Sequence, residues 1–276
     1  MTTFTDTDRL GISGRVLADV RDQGRAALIG YLPVGFPDVA ASMDAYRTIC
    51  EGVDLVEIGM PYSDPFLDGT VIQHATTKAL RLGVRTKDAF AAAETVAATG
   101  TTPVVMTYWN LIEQYGPDAF ARDLACAGGA GVITPDLIPD EADDWVAATD
   151  AHSLDRIYLI APSSTEQRIR DTMRACRGWV YATSVMGVTG MRQQTSSAAP
   201  EIVERARAID PDLPIGVGLG VSNGAQAAEV GRFADAVIVG SALVKCLLDH
   251  EDDPQSGLAA LAAVTDDLAR GIGAGS

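Results

Sequence analysis

Three carboxylates occupy one short segment, residues 56–69, whose sequence is VEIGMPYSDPFLDG. Glu57 lies inside an apolar run typical of a buried strand, and Asp64 and Asp68 follow it among prolines and glycines. Burial makes a carboxyl group costly to ionise, so its pKa rises toward that of a general acid near neutral pH. The segment therefore predicts acid–base chemistry. A structural glutamate satisfied by an internal Arg or Ser is the alternative for Glu57.

Strand geometry decides which way Glu57 points. Side chains alternate between the two faces of a strand. Val56 and Ile58 suit the face that packs against helices. This puts Glu57 on the opposite face, which in a barrel is the interior, close to the end where active sites lie.

The two aspartates have structural alternatives that spacing alone leaves open. Asp68 precedes a helix predicted to begin near residue 70, so it is either a second catalytic carboxylate or an N-cap. Asp64 precedes Pro65 and is equally typical of a turn.

Glycine-rich segments follow the last three strands of the pattern described next. In α/β barrels the loops after strands seven and eight often bind phosphate through backbone N–H groups at a helix N-terminus. Gly218 and Gly220 do not form a dinucleotide-binding fingerprint, because the sixth position is Asn223. Gly240 followed by Ser241 adds a hydroxyl, and the pair of segments predicts a phosphate ligand. Glycines that merely end strands are the alternative.

Eight short apolar segments alternate with helical patterns along the chain. The predicted strands are 26–32, 55–59, 103–108, 131–135, 156–161, 179–184, 215–220 and 236–240. The helical patterns between them are 39–50, 86–98, 118–127, 139–148, 164–176, 200–209, 223–230 and 258–270. Nearly continuous apolar strands indicate a parallel sheet covered by helices, and eight strands close a barrel. A doubly wound open sheet is the rival fold.

Two further helical patterns exceed a minimal barrel. Residues 8–23 precede the first strand and are predicted to cap the bottom of the barrel, and residues 71–82 are inserted after strand two. No linker or low-complexity segment divides the chain, so residues 1–276 are predicted to form a single domain.

Composition restricts the class of partner and the compartment. The net charge of −16 argues against a nucleic acid or an anionic membrane as partner. The four cysteines are scattered without a C-x-x-C pair, which is typical of a reducing cytoplasm. The N-terminal residues do not have the pattern of a signal peptide, and the expected location is cytoplasmic.

Other catalytic groups are sparse. His74, His152 and His250 are far apart in helical or loop patterns, so neither a catalytic triad nor a metal cluster is indicated. Lys245 falls within the helical pattern after strand eight, which gives Schiff-base chemistry little support.

Several segments match, in order and over nearly the whole chain, the motifs of a known family. Residues 57–69 resemble the signature of the tryptophan synthase alpha chain family, and the segment GVTG at 187–190 does so too. The likeness extends to YLPVGFP at 31–37, MTYWN at 106–110, IAPSST at 160–165, GLGVS at 218–222 and VGS at 239–241.

The resemblance implies a (β/α)8 TIM barrel and a carbon–carbon lyase of L-tryptophan biosynthesis, without cofactor or metal. Such a lyase cleaves indole-3-glycerol phosphate to indole and D-glyceraldehyde 3-phosphate by a retro-aldol reaction. Glu57 matches the general acid/base of the family, and Asp68 matches the carboxylate that receives or stabilises the indole N–H proton. The remaining matches hold Asp68 (Tyr181, Thr189), bind phosphate (Gly190, Gly220, Gly240, Ser241) and line the indole pocket (Tyr31, Tyr108).

A partner is implied as well: the pyridoxal-phosphate-bearing tryptophan synthase beta chain, in an alpha2-beta2 heterotetramer. In the family the loops after strands two and six meet that partner, so Asp64 is expected at the interface. The chain departs from the family pattern at two positions: it has Val185 where Arg is usual in the family, and Met186 where Ala is usual. The valine side chain at 185 carries no charge, so the closure energetics familiar for the loop after strand six are not expected to carry over to this chain.

Two other functions are compatible with the same residues. One is a regulatory subunit that binds ligand and activates a beta chain without turnover, although intact Glu57 and Asp68 argue against it. The other is a free-standing lyase that releases indole for secondary metabolism, with which Val185 is compatible. Indole release with and without a beta chain would separate all three functions.

Overall fold

Short parallel strands form one closed sheet in the computed structural model, which describes residues 9–183 and 198–274. The strands are β1 (Ala27–Pro33), β2 (Leu55–Gly59), β3 (Thr102–Met106), β4 (Gly131–Ile133), β5 (Asp155–Ile157), β6 (Leu159–Ile160), β7 (Val180–Thr183), β8 (Ile215–Gly218) and β9 (Ala236–Val239). Their order in the sheet is β5-β4-β3-β2-β1-β9-β8-β7-β6.

The two ends of this sheet are one stretch of chain. The fifth predicted strand, 156–161, is divided at Tyr158 into β5, which pairs with β4, and β6, which pairs with β7. Because β5 and β6 are consecutive, the sheet returns to its starting point and closes. The predicted TIM barrel is confirmed, and the open-sheet alternative is wrong.

Helices connect the strands and surround the barrel. They are α1 (Ser13–Asp22), α2 (Val39–Cys50), α3 (Thr70–Arg81), α4 (Thr86–Ala97), α5 (Trp109–Tyr115), α6 (Pro117–Cys126), α7 (Asp143–Ala151), α8 (Glu166–Ala175), α9 (Ala198–Ile209), α10 (Gly224–Gly231), α11 (Ser241–Leu248) and α12 (Pro254–Ala274). A short 3₁₀ turn, Pro139–Glu141, precedes α7. Among the described residues, no helix combines the length and apolarity needed to cross a membrane.

Some boundaries differ from the prediction. The third strand ends at Met106, two residues before the predicted end at 108. An additional helix, α5, then begins at Trp109. Gly116, at φ +94°, separates α5 from α6 in a conformation that favours glycine. The last helix is longer than the predicted 258–270, whereas the inserted helix after strand two is present as α3.

The apolar residues of the strands form two separate layers, as the alternation predicts. Val56 and Ile58 belong to the outer layer between sheet and helices, while Leu55 belongs to the interior of the barrel. The interior layer includes Ile29, Val104, Ile157, Trp179 and Ile238. It fills the barrel toward the N-terminal ends of the strands, which leaves the C-terminal ends, the mouth, for polar side chains.

Helix α1 closes the opposite end of the barrel. Its Leu17 and Val20 are buried against the interior layer, which confirms the predicted cap. The carboxylate of Asp155, fully buried at the start of β5, accepts hydrogen bonds from the N–H and hydroxyl of Ser13, both at 2.7 Å. The N–H of Ile12 donates to the same carboxylate at 3.3 Å. Asp155 therefore fixes the first turn of α1 to the barrel.

Candidate active site

Glu57 lies inside the mouth of the barrel, on β2. In the register of the sheet it stands between Tyr31 of β1 and Val104 of β3. The side chain is 2 % exposed, and among the described residues its Oε2 atom has no hydrogen-bond partner. Burial raises the pKa of Glu57 from 4.5 to about 8, with a further contribution from the negative charge of Asp68.

Asp68 lies on the loop between β2 and α3, close enough to Glu57 to influence its ionisation. Its side chain is 9 % exposed, and burial raises its pKa from 3.8 to about 6. The N-cap of α3 is Gly69, and no side chain caps that helix. The alternative that Asp68 is merely an N-cap is therefore wrong in this structure.

Two tyrosines fill the interior around the carboxyl groups. The pKa values of Tyr31 and Tyr181 are raised far above 10, first by burial and then by the charges of Glu57 and Asp68. Each tyrosine ring packs against a glycine of the neighbouring strand, where any side chain would collide with the ring. A Cβ atom on Gly59 would lie 2.4 Å from the Tyr31 hydroxyl, and one on Gly218 would lie 2.3 Å from that of Tyr181.

Tyr108 connects the loop carrying Asp68 to the end of β3. Its hydroxyl oxygen accepts hydrogen bonds from the N–H groups of Phe66, at 3.3 Å, and Leu67, at 3.4 Å. The ring of Tyr62 stacks on Tyr108 with centroids 4.6 Å apart, and Phe66 meets it edge-on at 5.3 Å. Burial, followed by the charge of Asp68, raises the pKa of Tyr108 to about 12.

Three side chains around Tyr108 were not predicted from the sequence. Tyr62 and Phe66 were visible as aromatic residues within the carboxylate segment, but nothing in the spacing indicated that they stack on a residue from another strand. Asp136, which follows β4, accepts the N–H of Trp109 through both carboxylate oxygens, at 2.9 and 3.1 Å. It fixes the first turn of α5 directly behind Tyr108. Asp136 could have been identified as a candidate from the sequence, because it directly follows a predicted strand.

The predicted phosphate positions lie at neighbouring helix N-termini. Gly240 is the N-cap of α11 and Ser241 is its first residue, while Gly220 precedes α10, whose cap is Asn223. Strands β8 and β9 pair with Gly218 opposite Ile238, so the loops that follow them emerge side by side. No described side chain caps α11, so its first backbone N–H groups suit an anion. At α10 the N–H groups of Gly224 and Gln226 instead donate to Asp267 and Asn223.

The remaining predicted residues are Asp64, which lies apart from the buried carboxyl groups, and several residues that the structure does not describe. Asp64 is exposed, and its carboxylate accepts a hydrogen bond from the hydroxyl of its neighbour Ser63. Thr189 and Gly190, together with Val185 and Met186, lie outside the described residues.

Comparison with known proteins decides the family. The family model described as tryptophan synthase alpha chain matches residues 17–272. This chain belongs to the tryptophan synthase alpha chain family. The alpha subunit is a lyase of tryptophan biosynthesis that cleaves indole-3-glycerol phosphate.

Relatives of the tryptophan synthase alpha chain family match along almost the full length. The tryptophan synthase alpha chain of Mycobacterium intracellulare is 57 % identical over 260 residues, 94 % of this chain and 93 % of the relative. That of Acidothermus cellulolyticus is 56 % identical over 260 residues, 94 % and 96 % of the two chains.

Solved structures of tryptophan synthase have the same architecture. A chain of Mycobacterium tuberculosis tryptophan synthase superimposes with a TM-score of 0.89 at 54 % identity, covering 95 % of this chain and 98 % of that one. The alpha subunit from Legionella pneumophila has a TM-score of 0.82 at 28 % identity, covering 99 % and 100 %. A chain of the Pyrococcus furiosus tryptophan synthase complex is also similar, with a TM-score of 0.81 at 26 % identity, covering 88 % and 98 %.

Proposed function

We propose that Glu57 and Asp68 carry out the cleavage of indole-3-glycerol phosphate in two different protonation states. The observation that carries this proposal is the burial of both carboxyl groups in one mouth, Glu57 more completely than Asp68. This burial raises their pKa values to about 8 and about 6. Near neutral pH the Glu57 carboxyl is mostly protonated and the Asp68 carboxylate mostly ionised. Environments that separate two titratable groups in this way are typical of an acid and its charged companion.

The reaction needs both states. The bond between the glycerol chain and C3 of indole breaks readily only once C3 has become tetrahedral. The protonated Glu57 donates its proton to C3, and the Asp68 carboxylate stabilises the positive charge that develops at the ring N–H. Glu57, now ionised, accepts the proton of the adjacent glycerol hydroxyl. The C–C bond breaks, its electron pair returns to the ring, and Glu57 is again protonated.

The other predicted residues orient the substrate. Tyr31 and Tyr108 are proposed to line the indole pocket, and Tyr181 to hold Asp68, which their burial beside the two carboxyl groups supports. Gly220, Gly240 and Ser241 are proposed to bind the phosphate group. The position of Gly240 and Ser241 at the N-terminus of α11, and of Gly220 on the adjacent loop before α10, supports this. By family resemblance alone, Thr189 is proposed to hold Asp68 and Gly190 to bind phosphate.

The chain is proposed to work with a tryptophan synthase beta chain, in an alpha2-beta2 heterotetramer. Tryptophan synthase complexes are among the solved structures it resembles. Asp64, exposed on the loop after β2, is proposed to face that partner. We also propose a cytoplasmic location, which the free thiols of Cys50, Cys126, Cys176 and Cys246 support.

Indole release from indole-3-glycerol phosphate tests the assignment of the two carboxyl groups. Glu57→Gln and Asp68→Asn are each expected to lower kcat about 100-fold or more, because each removes a proton-transferring or charge-stabilising group. Asp64→Asn, in the same segment but exposed, serves as the matched control without beta chain. Circular dichroism verifies folding. Folded Glu57→Gln and Asp68→Asn variants that retain the unmodified rate would refute the mechanism.

A further inference from the structure

A second cleft lies at the end of the barrel opposite the catalytic mouth. Its volume is about 660 Å³, within the range of small-molecule sites. Ala26 and Asp235, which directly precede β1 and β9, both line it, so it opens at the N-terminal ends of the strands. We name it the arginine cleft after Arg21, Arg25, Arg207 and Arg232, which line it.

The arginine cleft lies between α9 and α10, which pack against different neighbours in the outer ring of helices. Helix α9 packs against α8, whereas α10 packs against α12. One wall is the face of α9 that bears Val203 and Arg207, four residues apart. The other wall includes Ala228 and Gly231 of α10. A Cβ atom on Gly231 would lie 3.3 Å from that of Ala26, so the glycine lets α10 approach the start of β1 closely.

Positive charge predominates in this cleft, although the whole chain has a net charge of −16. Four arginines line it, against the two carboxylates of Glu204 and Asp235, and one of the four, Arg25, is paired through both terminal nitrogens with Asp54. Asp235 is 5 % exposed, and its carboxylate forms ion pairs with two arginines. The guanidinium of Arg207 lies 3.2 Å from it and that of Arg21 lies 3.9 Å from it. It also accepts the N–H of Ile215 at 2.8 Å.

Two guanidinium groups retain binding capacity. Within residues 9–183 and 198–274, no acidic side chain forms an ion pair with the exposed Arg232. Arg207 contacts Asp235 and the carbonyl of Phe233 through Nη2, and none of the hydrogen bonds found in that part of the chain uses its other nitrogens. Guanidinium groups of this kind favour planar, bidentate contact with carboxylate or phosphate.

The cleft also has an apolar wall. Val203 and Ile272 are buried there, and Phe233 is partly buried beside them. We propose that the arginine cleft binds a small organic anion, with a phosphate or carboxylate group against Arg207 and Arg232 and an apolar body against Phe233. This ligand site is separate from the one proposed for indole-3-glycerol phosphate.

An NMR titration of the full ¹⁵N-labelled chain tests the proposal. Phenyl phosphate and benzoate are the two probes, because they present the two oxyanions on the same ring, and benzyl alcohol is the uncharged control. Saturable shifts of the amides of residues 231–233 are expected with at least one anion. Whichever anion binds more tightly identifies the preferred group. Shifts at Gly220 and Gly240 report separately on the catalytic mouth.

Variants distinguish a designed site from general charge attraction. Arg232→Gln is expected to raise the Kd of the arginine cleft about ten-fold and to leave shifts at the mouth unchanged. Arg81→Gln, which removes another exposed arginine at a helix end, is expected to leave that Kd unchanged. Indole release by Arg232→Gln should equal that of the unmodified chain, so the two proposals fail independently. Shifts confined to the mouth, equal binding of benzyl alcohol, or an unchanged Kd in Arg232→Gln would overturn the proposal.

Discussion

Glu57 lies on strand β2 in the interior of the barrel. Asp68 lies on a loop whose N–H groups at Phe66 and Leu67 donate to the hydroxyl of Tyr108. This difference in support accompanies the difference in pKa, because the strand position is the more completely buried of the two. Burial of a carboxyl group that lacks a full set of hydrogen bonds costs stability once it ionises. The proposed catalytic acid is therefore also a site of pH-dependent instability.

Replacement of Glu57 by Gln is expected to stabilise the chain at alkaline pH. The folded pKa of about 8 lies above the ordinary 4.5, so the folded state binds this proton more tightly than the unfolded state does. The free energy of unfolding therefore falls as pH rises from about 4.5 to about 8. In Glu57→Gln this loss should disappear, leaving the variant more stable near pH 9 and similar near pH 4. Urea unfolding at both pH values measures it, and a pH dependence identical to that of the unmodified chain would contradict it.

The hydroxyl of Tyr108 is expected to contribute to the rate by holding the loop of Asp68. Tyr108→Phe keeps the ring that stacks on Tyr62 but removes the acceptor for the N–H groups of Phe66 and Leu67. We expect kcat for indole release to fall several-fold while stability falls by about 1 kcal/mol or less. Tyr115→Phe, which removes an exposed hydroxyl bonded to Asp123, is the matched control. Equal kcat values for the two variants would exclude this role.

Strand alternation placed Glu57 correctly inside the barrel, whereas spacing alone left Asp68 open and only the family resemblance gave it a role. Strand alternation and burial cost sufficed for Glu57, because both are local properties of five residues. Asp68 could not be assigned from spacing, because an N-cap and a buried carboxylate have the same sequence neighbourhood. The structure separates the two by placing Gly69 at the cap. The aromatic contacts of Tyr62 and Phe66 depend on β3 and were not accessible from their own segment.

At the scale of elements, the strands were predictable and the connections less so. The apolar runs mark each strand because both faces are buried, one in the barrel and one under the helices. Helix α5 was missed because its sequence, WNLIEQY, continues directly from a strand without a proline or glycine between them. Its first turn is held by Asp136, which lies 27 residues away in the chain. A contact at that separation leaves no periodic pattern.

The attachment of α1 to the barrel is expected to depend on Asp155. Asp155→Ala would leave the N–H and hydroxyl of Ser13 and the N–H of Ile12 without their acceptor in a buried site. We expect a loss of about 2–4 kcal/mol in the free energy of unfolding, measured by urea at neutral pH. Asp64→Ala removes an exposed aspartate and should change stability little. A similar small change in Asp155→Ala would show that α1 is held by its apolar face alone.

At the scale of the whole molecule, closure of the barrel brings the residues of the candidate active site together. Glu57 lies on β2, Tyr108 follows β3, Tyr181 lies on β7, and Gly240 follows β9. The candidate site is therefore assembled from segments that are far apart in the sequence. A closed sheet also excludes water from its interior, which raises the pKa values on which the mechanism depends. The fold could be predicted from strand count, whereas the electrostatic coupling of the carboxyl groups required the closed structure.

The most direct test of the mechanism is a ¹³C NMR titration of the carboxyl carbons of Glu57 and Asp68 in the full chain. Glu57→Gln and Asp68→Asn assign the two signals. We expect Asp68 to titrate near 6 and Glu57 near 8, so that around neutral pH one is ionised while the other retains its proton. Titration of Glu57 near its ordinary 4.5, or below Asp68, would contradict the assignment of Glu57 as the acid that protonates indole.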